Sequence, residues 1–125
     1  MDTTLYDQLG AENIQILVDR FYDLVFQDER ISRLFKTDKS VIKEKQRLFL
    51  TQFLGGPSLY SDQYGHPRLR ARHLPHPIEQ DDAVAWLNCM SRAIKSLSID
   101  EAIKDELFKR FIPTAMFMVN TGEQQ

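Results

Sequence analysis

Apolar residues recur along most of the chain at intervals of three and four positions, the spacing of one face of an α-helix. Between residues 11 and 27 this face comprises Ile14, Leu17, Val18, Phe21 and Val25. A second long helix is predicted over 79–96, and its buried side comprises Ala83, Trp86, Leu87, Met90, Ala93, Ile94 and Leu97. Because no stretch alternates between apolar and polar residues as a half-buried strand does, the sequence predicts an all-α fold.

Turn-forming residues separate the first long helix from the next one. A short turn is predicted from Glu29 to Phe35. The polar stretch Thr37-Asp38-Lys39-Ser40 supplies side chains that cap the start of a helix, which is predicted to continue to about Leu54. The stretch Gly55-Gly56-Pro57 then ends it, and a polar loop is expected to follow.

Prolines bound a predicted short helix in the second half of the chain. Pro67 suits a first helical turn, where its missing N–H would be unpaired anyway, and Pro75 ends the helix because it restricts the preceding residue. Ser98 and Glu101 have the Ser-x-x-Glu spacing of a capping box. The last helix is therefore predicted to open there and to run to about Asn120.

Length and charge exclude several classes of protein. The 125 residues are the size of one ordinary domain, so we assign 1–125 to a single domain. A net charge of −2 gives no attraction to nucleic acid, and no apolar run approaches a membrane span.

Cys89 is the only cysteine, so no internal disulfide forms, and a buried structural thiol is expected. The polar N-terminus predicts a cytoplasmic protein.

Two polar residues fall on or beside apolar helix faces. Gln46 interrupts the apolar series formed by Ile42 and Phe49, and Tyr22 lies at the edge of the first helix's buried face. An unpaired buried polar group costs ~1–3 kcal/mol, so both need partners. In one interpretation they bond each other or a backbone carbonyl. In the other, they join the indole of Trp86 in lining a pocket whose ligand carries acceptor atoms.

All three histidines lie between residues 66 and 76, and only one is expected to face the core. His73 shares a helix face with Leu69, whereas His66 is a loop or N-cap residue and His76 is flanked by prolines. A zinc site made of all three lacks helical spacing and has only Cys89 as a further ligand. His73 is then either a hydrogen-bonded core residue or one side of a haem pocket, opposite phenol, amide and indole donors.

The chain resembles the truncated haemoglobins, most closely their second group, from about Leu5 to Thr121. The resemblance is carried by Leu5-Tyr6-Asp7-Gln8-Leu9-Gly10, Arg20-Phe21-Tyr22, Gln52-Phe53-Leu54-Gly55-Gly56-Pro57 with Tyr60, Gly65-His66-Pro67-Arg68-Leu69-Arg70-Ala71-Arg72-His73, and Ala85-Trp86-Leu87. These stretches occur together and in the family's order. The resemblance implies a two-over-two helical sandwich around haem b, with a very short first helix.

The resemblance also implies a role for each candidate site residue. It makes His73 the iron ligand, Phe35 the aromatic against the haem edge and Tyr22 the distal tyrosine. Trp86 matches the tryptophan that marks the second group, and Gln46 the neighbouring distal position. Ile42 occupies the place of the distal histidine found in many globins, so no distal histidine should bind the iron. The remaining residues implied are Phe49, Phe53 and Leu54 as pocket lining and Lys45, Tyr60 and Arg72 as partners of the haem propionates.

The function implied is reversible binding of oxygen and other diatomic ligands at a histidine-ligated haem iron. Delivery of oxygen and redox chemistry on oxygen, peroxide or nitric oxide both remain open. The redox activity would be peroxidase-like or nitric oxide dioxygenase-like and would use an unidentified reductase. The chain is expected to be a monomer or weak homodimer. The alternative from a different class is a haem-free all-helical interaction or sensor domain.

Overall fold

A computed structural model describes residues 3–35, 38–66 and 78–119, and all regular structure in these ranges is helical. The elements are α1 (Leu5–Gln27), a 3-10 turn (Ser32–Leu34), α2 (Lys39–Phe53), α3 (Leu59–Tyr64), α4 (Gln80–Lys95) and α5 (Glu101–Phe117). The all-α prediction is confirmed. The short helix predicted from Pro67 to Pro75 lies outside the described residues.

Helix α1 begins six residues before the predicted helix over 11–27, but it is interrupted. Thr4 caps its start, because the Thr4 hydroxyl accepts a hydrogen bond from the backbone N–H of Asp7 at 3.0 Å. Gly10 then adopts φ 81° and ψ 157°, a conformation open almost only to glycine. The segment before Gly10 is the very short first helix that the resemblance implies.

The end of α2 is held against the start of α1. The backbone N–H of Tyr6 donates to the carbonyl of Leu54 at 2.9 Å. A Cβ atom placed on Gly56 would lie 2.7 Å from the Tyr6 ring and 2.8 Å from the carbonyl oxygen of Thr51. Only glycine allows this approach, and a larger residue would push the first helix away from α2.

Helix α2 follows the prediction closely, whereas α3 contradicts it. Asp38 caps α2 by accepting from the backbone N–H of Ser40 at 2.9 Å, and the helix ends one residue before Leu54. The segment predicted as a polar loop contains α3, which is held by a two-bond clamp to α2. The amide of Gln52 donates to the Ser61 hydroxyl at 2.8 Å and accepts from the Ser61 backbone N–H at 2.9 Å.

Helices α4 and α5 were predicted in the right places, with errors at the ends of α5. Helix α4 lies within one residue of the predicted 79–96 at both ends. Asp100, rather than Ser98, caps α5, because its carboxylate accepts from the N–H of Ala102. Aspartate caps helices as well as serine does, so the helix begins after Asp100 and the Ser98 capping box is wrong. Helix α5 ends at Phe117, short of the predicted 120, where the N–H of Met118 bonds the Ala115 carbonyl.

The core is formed where α1 packs against α2 and α4, and α4 against α5. Its largest fully buried side chains include Ile14, Leu17, Phe21, Leu50, Leu54, Met90, Ile94, Leu107 and Phe111. The end of α4 is capped from other helices, by Arg20 donating to the Ser96 carbonyl and Lys104 donating to the Lys95 carbonyl. Cys89 is buried, as predicted, with its thiol 3.7 Å from the Asp28 carboxylate. None of the helices described could cross a membrane on length and apolarity.

Candidate functional site

A continuous series of aromatic rings runs through the helical core, from the residue after the 3-10 turn to the end of α3. Neighbouring centroids lie 4.9 to 5.9 Å apart. In order, the rings are Phe35, Tyr22, Phe21, Trp86, Phe111, Phe53, Phe49, Tyr60 and Tyr64. The predicted site residues among them come from distant parts of the sequence, and the fold brings them into one connected cluster.

Tyr22 is held rigidly while its hydroxyl remains available. Its ring packs edge-on against Phe21 at 4.9 Å and Phe35 at 5.9 Å, and only 4% of the residue is exposed. The hydroxyl forms no hydrogen bond within the described residues. Within the described residues, every side-chain nitrogen or oxygen that is fully enclosed has a hydrogen-bond partner. Because the Tyr22 hydroxyl has none, it must border accessible space. Burial raises the pKa of the Tyr22 phenol well above its usual value, which keeps its proton available for donation.

The side chains of Trp86 and Gln46 also lack hydrogen-bond partners among the described residues. Trp86 lies in α4, half-buried, with its ring 5.0 Å from Phe21 and 5.7 Å from Phe111. Gln46 lies half-buried on α2, and neither side chain forms a hydrogen bond in the part of the chain that the structure describes. The interpretation in which Tyr22 and Gln46 satisfy each other or a carbonyl is therefore wrong for the described ranges. Three helices thus each carry a donor that has no partner among the described residues.

The apolar residues expected to line the site lie mainly on one face of α2. Ile42, Phe49 and Phe53 are half-buried and pack against the core, and Leu54 is fully buried. Ile42 precedes Gln46 by one helical turn, so the two share a face. An aliphatic residue at this position cannot bind a metal or donate a hydrogen bond.

At the far end of the aromatic series, one cation is left without a carboxylate. Lys39 and Lys43 pair with aspartates of α1, whereas Lys45 makes no ion pair with any described residue. Its ammonium instead lies 4.8 Å from the centroid of the Tyr64 ring. Tyr60, which is buried, contacts Tyr64 at 5.1 Å. This end of the cluster suits an anionic substituent.

The predicted iron ligand cannot be placed. His73, Arg72 and His76 lie outside the described residues, and only His66 is described, as an exposed, non-helical residue after α3. Within the described ranges no group of three metal-binding side chains is found.

Asp82 was not predicted as part of the site. It is a buried carboxylate in the first turn of α4, one helical turn before Trp86, and it is paired with Arg33 of the 3-10 turn. Acidic residues are common in first helical turns, so Asp82 carries no sequence signal of burial. Nothing in the sequence connects it to Arg33, which lies 49 residues earlier.

The described residues fit a haem. Haem is a flat, largely apolar ring with carboxylates at one edge, and its iron-bound ligand faces the protein. Aromatic and aliphatic side chains would supply the apolar contacts, and Lys45 makes no ion pair with a described residue. Tyr22, Gln46 and Trp86 would supply donors for a ligand. Pockets for cofactors combine apolar lining with a few such polar groups.

Comparison with known proteins identifies globins as relatives of this chain. The family model for the bacterial-like globins matches residues 4–120. The chain is 43% identical to a group 2 truncated haemoglobin of Bacillus subtilis over 120 residues, which cover 96% of this chain and 91% of that protein. It is 36% identical to two-on-two haemoglobin-3 of Arabidopsis thaliana, covering 98% and 72%.

Solved structures resemble this chain along its whole length. The group II truncated haemoglobin of Bacillus anthracis superposes with a TM-score of 0.93 at 41% identity, covering 100% of this chain and 97% of that one. The truncated oxygen-avid haemoglobin of Bacillus subtilis superposes with a TM-score of 0.90 at 43% identity, covering 94% and 100%. The expected two-over-two helical fold is confirmed.

Proposed function

The chain belongs to the bacterial-like globin family, among the group 2 truncated haemoglobins, and on this premise we propose that it binds oxygen at a haem iron ligated by His73. Haem is its cofactor, as in the globins it matches, and diatomic ligands are what globins bind. A haem-free interaction or sensor domain would leave the hydroxyl of Tyr22, a residue only 4% exposed, without a partner among the described residues. The Bacillus subtilis relative is described as oxygen-avid, which supports tight oxygen binding here.

The observation that carries this proposal is the set of three unpaired donors, Tyr22, Gln46 and Trp86. Haem, when bound, would supply the position for a diatomic ligand that carries partial negative charge. A phenol O–H, an amide N–H₂ and an indole N–H each stabilise such charge. Because none of the three is bonded to protein in the described ranges, they can be directed at the ligand without breaking existing bonds.

Absorption spectra of the purified protein, with and without added haem, test the proposal. The reduced protein should show the spectrum of a five-coordinate, histidine-bound haem and should form stable complexes with oxygen and carbon monoxide. Failure to take up haem would favour the haem-free helical domain. Spectra of a haem without histidine ligation would reject His73 while leaving the cofactor in place.

The same three donors favour a second candidate, redox chemistry over oxygen delivery. Several donors on one ligand slow its release, and a protein that releases oxygen slowly is better suited to oxidising a substrate than to transport. We propose that nitric oxide would be oxidised to nitrate by the oxygen held at the site, which would leave ferric haem for a reductase to return to the ferrous state. In a peroxidase-like reaction, peroxide would instead be the oxidant and would be reduced to water by electrons from an unidentified donor. The test is an oxygen dissociation rate compared with the rate at which added nitric oxide is consumed.

We also propose a cellular location, an oligomeric state and a reductase partner, all of which rest on the sequence. The single buried cysteine, whose pKa is raised to about 11 by burial and by the neighbouring Asp28, suits a reducing cytoplasm. A monomer or weak homodimer is expected, and sedimentation of the haem-loaded protein measures it. The reductase is an unidentified partner.

Ile42 is expected to control ligand entry through its volume. Changing Ile42→Ala should accelerate carbon monoxide association several-fold, because a shortened side chain opens the space beside the donors, and should alter oxygen dissociation less. The matched control is Val41→Ala, since Val41 is the adjacent branched apolar residue and is 48% exposed. Equal carbon monoxide association rates in the two variants would place Ile42 away from the entry route.

A further inference from the structure

We propose that Arg33 and Asp82 are a positioning pair that holds two sides of the haem site in register, an inference that rests on the proposed ligation by His73. Arg33 lies in the 3-10 turn, and Asp82 lies in the first turn of α4. Neither residue belongs to the ligand pocket proposed above. Their influence would act through the segments that they join.

The geometry of the pair is that of a forked ion pair. Arg33 Nη1 and Nη2 lie 3.2 and 3.1 Å from Oδ1 of Asp82, and Nη2 lies 3.2 Å from Oδ2. Oδ2 also accepts from the backbone N–H of Glu79 at 2.9 Å, and only 8% of the Asp82 side chain is exposed. A forked arrangement fixes angle as well as distance, so it constrains the joined segments more than a single contact does.

The segments that the pair joins carry residues on both sides of the proposed site. Arg33 comes two residues before Phe35, whose ring contacts Tyr22 at 5.9 Å. Asp82 comes one helical turn before Trp86 and shortly after the segment 67–77, which contains His73. A shift of Arg33 relative to Asp82 would therefore move the aromatic at the haem edge relative to the helix that carries Trp86 and follows the iron ligand.

A second arginine–aspartate pair nearby provides a matched control. Arg30 Nε and Nη2 lie 3.0 and 2.8 Å from the two oxygens of Asp28. Both of these residues precede the 3-10 turn. Asp28 contacts α4 through the Cys89 thiol at 3.7 Å, a contact that does not involve the Arg30 side chain. Arg30→Gln therefore removes a similar ion pair from the same part of the chain without releasing the connection made by Arg33.

The test measures haem loss and the iron–histidine bond in the haem-loaded protein. Haem transfer to excess apomyoglobin should be several-fold faster in Arg33→Gln and in Asp82→Asn, because the segments that the pair joins would no longer be held at one angle and distance. The resonance Raman iron–histidine stretch of the ferrous protein should shift or broaden in both. Arg33→Lys keeps the charge without the fork and should fall between, and Arg30→Gln should match the unsubstituted protein.

Equal haem loss from Arg33→Gln and Arg30→Gln would overturn the proposal. So would a lower free energy of unfolding of the haem-free variants with unchanged haem loss and an unchanged Raman band, because the pair would then only stabilise the fold. If Asp82→Asn fails to fold, the two Arg33 variants test the proposal, because the Arg33 side chain is half exposed and its replacement should not prevent folding. Absence of the iron–histidine band from the unsubstituted protein would instead reject His73, and the pair would be judged on haem loss alone.

Discussion

Replacement of His73 by alanine is expected to abolish the five-coordinate, histidine-bound spectrum of the ferrous protein. The side chain is the only proposed protein ligand of the iron, and neither Ile42 nor Gln46, the residues expected on the distal side, offers an imidazole. Haem should then dissociate readily, because the remaining contacts are apolar packing and peripheral charge. The measurement is the ferrous spectrum, together with the amount of haem retained after gel filtration.

Two controls separate ligation from general damage to this region. His66→Ala and His76→Ala should both retain the histidine-bound spectrum, and His66 is exposed in the structure. Added imidazole should restore a five-coordinate spectrum to His73→Ala if the pocket remains intact. An unchanged spectrum in His73→Ala would assign the iron to another ligand.

Tyr22→Phe and Trp86→Phe are each expected to raise the oxygen dissociation rate by about tenfold or more. A hydrogen bond to a charged acceptor contributes ~1.5–3 kcal/mol, and ~1.4 kcal/mol corresponds to a factor of ten. Neither donor bonds a described protein group, so its removal leaves no protein acceptor unpaired there. Carbon monoxide carries much less charge, so its dissociation should change little. Stopped-flow measurement of both ligands provides the comparison.

The effects of the two substitutions should not add. Both rings lie edge-on against Phe21, at 4.9 and 5.0 Å, so each can adjust through this shared neighbour when the other is changed. A double-mutant cycle measures the coupling. Tyr6→Phe is the control for loss of a phenol elsewhere, because the Tyr6 ring packs beside Gly56, after the end of α2. Additive effects would indicate independent contacts. Unchanged oxygen release in both variants would show that neither Tyr22 nor Trp86 contacts the bound ligand.

The sequence predicted the long helices well because their apolar faces extend over several turns. Helix α4 was placed within one residue at each end, since a proline-rich stretch precedes it and polar residues follow it. Helix α3 was missed because six residues make fewer than two turns, too few to show a period. The start of α5 was misplaced because Ser98 and Asp100 are both good caps, and only packing decides between them.

The donors and lining of the candidate site can be proposed from the sequence, whereas the contacts that support them cannot. Tyr22 and Gln46 stood out as polar groups on apolar faces, and the resemblance placed Trp86 and Phe35 beside them. The aromatic contacts that join these residues cross between helices, so no local pattern encodes them. The Arg33–Asp82 pair is of the same kind, since each residue is locally an ordinary charged side chain.

The cap that Arg20 places on α4 has a consequence for synthesis of the chain. Arg20 donates to the Ser96 carbonyl, 76 residues later. At a translation rate of about 5–20 residues per second, the acceptor follows the donor by roughly 4 to 15 s. During this interval the apolar face of α1 lacks its cover from α4 and is exposed in the nascent chain. The contact between α1 and the end of α4 consequently forms only after most of the chain has been synthesised.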